Sequence, residues 1–142
     1  DAVRTEVQGV SGYIEQDFYK KGFEDGYDGH SAEVLEHKIR SIRADFRYQL
    51  SIKVDALQQD LVMLINQKVE VEGMSMAIAA QLDNRMNLIN ENIQELRTQI
   101  ELSSVDEGIV MVAIHKYRDG FVRGTGVYQM EKNIGMSTGL FN

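Results

Sequence analysis

A mainly α-helical fold is what this sequence predicts: long amphipathic helices that pair as a coiled coil or an antiparallel helical hairpin and then oligomerise. Three observations carry that expectation. The 142 residues contain no proline; residues 31–102 hold a single glycine, Gly73; and apolar side chains return through that stretch every three or four positions. Proline normally punctuates turns and strand edges, so its absence, with only 8% aromatic residues, favours long uninterrupted helices.

Composition bounds the class. At 43% hydrophobic and 26% charged residues the chain lies in the globular range and can bury a core. Without cysteine there is no disulfide, no thiolate zinc site and no cysteine nucleophile. The longest apolar segments, Leu61–Ile65 and Ile109–Ile114, fall far short of the roughly twenty residues a bilayer-spanning helix needs, so a soluble protein with no membrane span is expected. The chain opens on Asp1 instead of methionine, which is expected either of a processed protein that has lost a signal or pro-segment or of a fragment; the compartment stays open.

Three segments follow from composition: a glycine- and aromatic-rich stretch at 1–30, a coiled-coil region at 31–102 with a turn or continuous helix near residue 73, and a docking segment at 103–142. In the first, Lys21-Gly22-Phe23-Glu24-Asp25-Gly26-Tyr27-Asp28-Gly29 admits two structures. As a helix, Gly22, Gly26 and Gly29 would line one face and admit a second backbone, with Phe18, Phe23 and Tyr27 beside it. As a loop, glycine next to aspartate is ordinary turn chemistry. Three glycines cost a helix about 1 kcal/mol each, which tips the expectation towards a loop or irregular cap.

Ser31 is placed as an N-cap ahead of Ala32 and Glu33. Leu35, Ile39, Ile42 and Phe46 then step by four, three and four, and Leu50, Val54, Leu57, Leu61 and Leu64 continue after a stutter. A second run, Leu82, Met86, Ile89, Ile93, Leu96 and Ile100, keeps the same alternation. The expected oligomer seam is Leu35, Ile39, Ile42, Phe46, Leu57, Leu61, Leu82, Ile89, Ile93, Leu96 and Ile100. Between the runs, a left-handed C-cap at Gly73 with Ser75 as the next N-cap would fold the halves back on each other.

The last segment also has two readings. Ser104-Val105-Asp106-Glu107 matches a capping box that would start a short helix ending at Gly120. Alternatively, the β-formers of Ile109–Ile114, a turn at Arg118-Asp119-Gly120 and a return over Phe121–Tyr128 would make a small hairpin. Gly124, Gly126, Gly135 and Gly139 suggest an irregular end whose aromatics, Phe121, Tyr128 and Phe141, dock on a neighbour.

Chemistry-bearing motifs are few. His30, Glu33 and His37 fall at spacings of three and four and would form a metal face if all three were helical, although solvated polar residues at a helix start explain them as well. His115 sits in an apolar run and fits an interface or core better than catalysis, since no nucleophile pairs with it. No phosphate-binding glycine loop follows a strand, and Asp25–Asp28 lacks the ligand alternation of a calcium loop. The scattered methionines read as adaptable packing. No cofactor is expected.

Net charge is −7, with seven acids against three bases in residues 1–30, which argues against nucleic acid as a general partner. One stretch runs the other way, and Arg40, Arg43 and Arg47 share a helix face. Three functions follow as expectations. The first is a non-enzymatic structural or assembly protein, a homo-oligomer that also holds other subunits of a larger particle such as a virion or a secretion apparatus. The second is an adaptor whose arginine face binds nucleic acid or an acidic protein, and the third is a helical metal-binding protein.

Overall fold

The computed structural model describes residues 12–141, with side chains through residue 135. Among the described residues there is no strand. Past a helical turn over 12–14, the chain forms α1 (Phe18–Gly29), α2 (Ala32–Val71), α3 (Met76–Ser103) and α4 (Val110–Phe141). These residues divide into two compact units, one of 12–13 with 46–108 and the other of 14–45 with 109–141.

In the first unit, the later part of α2 and all of α3 form an antiparallel hairpin. Antiparallel pairing follows from the contacts: Lys68 meets Asp83 at 2.9 Å near the turn, while Arg47 meets Ser103 at the other end. The heptad positions face inward. Phe46, Leu50, Val54, Leu57 and Leu64 of α2 are buried, as are Ala79, Ile93 and Leu96 of α3, with Leu61, Leu82, Ile89 and Ile100 half-buried beside them. Tyr13 tilts its ring onto Phe46 at 6.0 Å.

The turn near residue 73 is present, but glycine does not close it. Among the described residues only His30, Asp106 and Gly108 have positive φ, so Gly73 is not left-handed. Val71 instead accepts from both Met74 N–H (2.8 Å) and Ser75 N–H (2.9 Å), and the Ser75 hydroxyl caps α3 by accepting from Ile78 N–H at 3.2 Å.

The second unit contains α1, the start of α2, and α4. Asp17 caps α1 by accepting from Lys20 N–H at 2.9 Å, and Ser31 caps α2 by accepting from Val34 N–H at 3.2 Å. Two expectations are overturned here. Residues 18–29 are helix, not a loop or irregular cap, and residues 110–141 are one helix, not a β-hairpin or an irregular terminus. The helical choice at 110–121 follows from burial, since Val110, Ala113, Ile114, Tyr117 and Phe121 recur at helical spacing and are all buried.

The capping box is overturned as well. Ser104 closes α3 as its C-cap, and Glu107 N–H bonds back to the Leu102 carbonyl at 3.0 Å around a left-handed Asp106, a closure that ends helices. Gly108 follows at φ +87°, where a Cβ would also fall 2.9 Å from that of Leu102. Both backbone conformation and space demand glycine there.

Candidate functional site

The second unit is organised around an interlock of backbones. A Cβ added to Gly22 of α1 would lie 2.9 Å from the Tyr117 carbonyl carbon, and one on Gly26 would lie 2.8 Å from that of Phe121. Reciprocally, Cβ atoms on Gly120 and Gly124 of α4 would lie 2.9 Å from the carbonyl carbons of Tyr19 and Phe23. The facing oxygens are closer still, occupying the space side chains would take, an arrangement suited to Cα–H···O contacts. Because Gly22 then Gly26 meet Tyr117 then Phe121 in the same order, α1 and α4 run parallel.

The reciprocity has a sequence counterpart that heptad reasoning missed. Tyr19-Lys20-Lys21-Gly22-Phe23-Glu24-Asp25-Gly26 and Tyr117-Arg118-Asp119-Gly120-Phe121-Val122-Arg123-Gly124 share the pattern Tyr-basic-x-Gly-Phe-x-x-Gly. Each motif's glycines receive the other's Tyr and Phe carbonyls, so the two helices are related by an approximate two-fold axis along their length, as in an isologous dimer interface. An alignment of the chain against itself would have exposed Gly120 and Gly124 as partners of Gly22 and Gly26.

Polar and aromatic contacts flank the interlock. Tyr117 hydroxyl donates to the Asp25 carboxylate at 2.5 Å, Tyr27 hydroxyl donates to Glu131, and Thr125 hydroxyl donates to the Gly26 carbonyl at 3.2 Å. Burial, reinforced by the Asp25 carboxylate, pushes the Tyr117 phenol above its ordinary value; the hydrogen bond to Glu131 does the same for Tyr27. His30 caps α1 in a left-handed conformation and stacks on Tyr128 with ring centroids 3.8 Å apart.

The residues predicted to carry function are distributed differently from expectation. His30 sits between α1 and α2, outside either helix, so His30, Glu33 and His37 do not share one helical face; among the described residues no group of three His, Cys, Asp or Glu converges on a metal-sized site. Of the arginine face, Arg40 is exposed and Arg43 half-buried, while Arg47 is engaged within its own unit. Its Nε donates to Ser103 Oγ at 3.0 Å and its terminal nitrogen to Ser104 Oγ at 2.7 Å, and Ser103 in turn donates to the Ile100 carbonyl at 2.6 Å. Arg47 thus serves the carbonyl end of α3, where helix polarity favours a cation. Leu35 and Ile42 are half-buried and Ile39 is buried in the second unit. Phe121 is buried within its own chain, Tyr128 meets His30 and Tyr27, and the side chain of Phe141 lies outside the described ones. His115, expected in a core or interface, is exposed.

A different surface stands out at the hairpin turn. Val62, Ile65 and Val69 form a stripe at helical spacing on α2, all more than half exposed, and Met74 and Met76 on either side of Ser75 are 77% and 86% exposed. Ile78, in the first turn of α3, is also exposed. No protein-family model, curated protein or solved structure matches the chain.

Proposed function

We propose that this chain is a non-enzymatic structural or assembly protein that self-associates to build or brace a larger particle. The observation that carries this proposal is the apolar hairpin tip: Val62, Ile65, Val69, Met74, Met76 and Ile78 are held in water by a chain whose net charge is −7. Large apolar side chains exposed near one turn favour an interaction site there, and methionine supplies adaptable contact area. The seam residues assigned to oligomerisation from sequence are in large part used within the chain, which leaves exposed apolar side chains such as those near the hairpin turn to meet a second copy. The nucleic-acid adaptor loses support, because Arg47 is committed to Ser103 and Ser104.

Light scattering on a sizing column tests this. The wild-type mass should rise with concentration above the 16.1 kDa of one chain, and the double variant Val69→Asp/Met76→Asp should abolish that rise with unchanged helical circular dichroism. A wild-type mass independent of concentration, or one untouched by the double variant, would refute the assignment.

A further inference from the structure

We infer that α4 is an exchangeable element through which two copies of this chain join, the α4 of each seated against the α1 of the other. This goes beyond the hairpin tip and uses a separate surface. The first support is that every contact of the interlock survives exchange. Gly22, Gly26, Gly120 and Gly124 meet carbonyls, Tyr117 meets Asp25, and Thr125 meets the Gly26 carbonyl, whether α4 comes from the same chain or from a copy. Closed and exchanged forms therefore differ only in the connection that delivers α4, and in the entropy of bringing two chains together.

The second support is that connection. Residues 104–109 place two left-handed residues, Asp106 at φ +58° and Gly108 at φ +87°, within three positions. Gly108 adopts that conformation without cost, whereas Asp106 does not, and a short hinge that relieves such a residue on opening promotes exchange of the element it carries. The third is the repeated motif, which makes each helix the shape complement of the other. Its flanks choose between pairings: Asp25 of α1 answers Tyr117 of α4, whereas two α4 helices paired together would set Tyr117 opposite the corresponding residue, Arg123, and lose the Asp25 acceptor and the Tyr27 donor. Exchange keeps both the Tyr117–Asp25 and the Tyr27–Glu131 bonds, and like-with-like pairing keeps neither.

The experiment uses the full chain carrying Val69→Asp/Met76→Asp, so that association at the hairpin tip cannot contribute. Two versions of it, one with a mass tag, are unfolded, mixed, refolded together and weighed by native mass spectrometry. Exchange predicts a mixed dimer near half of all dimers; its absence would overturn the inference. In a second arm, a chain with Gly22→Leu/Gly26→Leu is refolded with one carrying Gly120→Leu/Gly124→Leu. Only exchange assembles an intact clasp from these two, so a one-to-one heterodimer is expected on mixing and neither variant should dimerise alone. A dimer formed by the Gly120→Leu/Gly124→Leu chain on its own would overturn exchange in favour of α1 pairing with α1.

Discussion

Two alanine substitutions six positions apart in α4 should move stability in opposite directions. Gly126 is exposed and helical, and a Cβ there meets nothing within 4 Å, so Gly126→Ala should stabilise by about 0.5–1 kcal/mol through helix propensity alone. Gly120→Ala receives the same gain but sets its Cβ 2.9 Å from the Tyr19 carbonyl carbon and 3.0 Å from Phe23 N, where ordinary contact begins at 3.4 Å. The obstruction is backbone, which cannot rotate aside, so the helices must part by roughly 1 Å, and a gap of that size forfeits about a quarter to a half of the dispersion energy along the seam. Overpacking costs about 1–3 kcal/mol, and an unyielding backbone contact belongs at the upper end. Gly120→Ala should therefore lose about 2 kcal/mol net, some 3 kcal/mol below Gly126→Ala and on the order of 10 °C in melting temperature for a chain of this size. Urea and thermal denaturation followed by circular dichroism at 222 nm read both. If the two substitutions shift stability in the same direction by similar amounts, the close approach of α1 and α4 is wrong.

Arg47→Ala should destabilise the hairpin by about 1–2 kcal/mol, because the buried Ser103 hydroxyl loses its donor; urea denaturation checks it, and Arg47→Lys should recover only part. Ile93→Asp should unfold the hairpin rather than merely dissociate copies, since Ile93 is 3% exposed within its own chain and the carboxylate would be buried unpaired; retained helical signal at lower mass would contradict this. The raised phenol of Tyr117 sets an alkaline limit. Its folded value exceeds the ordinary 10.0, so the neutral form's contribution is complete below about pH 10 and is lost as pH rises beyond it. Melting temperature between pH 8 and 11 should fall on the alkaline side, and Tyr117→Phe should flatten that fall while lowering stability at pH 8 by about 1–2 kcal/mol through loss of the bond to Asp25.

Much of the fold is legible from residue order because its signals are local and repeated. Leu35 to Leu64 and Leu82 to Ile100 state one period many times over, and Ser31 and Ser75 supply hydroxyls where the first amides of a helix need acceptors. The errors fall where local chemistry argues one way and packing another. Ile109–Ile114 is rich in β-branched residues, yet Val110, Ala113 and Ile114 are buried at helical spacing. Ser104 resembles the start of a helix and instead ends one, because the left-handed Asp106 closes the chain back on Leu102. The apolar tip escaped notice because Val62, Ile65 and Val69 look in sequence like any helical face, and only a paired neighbour distinguishes covered from bare.

What residue order determined by itself is helicity over residues 31–102 and the apolar stripe that faces inward, since each depends on side chains within a few turns of one another; it left a turn and a continuous helix both open near residue 73, and the structure turns between residues 71 and 76. What only the tertiary structure decided is that Gly22, Gly26, Gly120 and Gly124 are helical and why. Each costs its own helix about 1 kcal/mol, which seen alone predicts a loop. That cost is offset only when a second backbone enters the space where side chains are missing, and no local rule reports a partner helix so far along the chain.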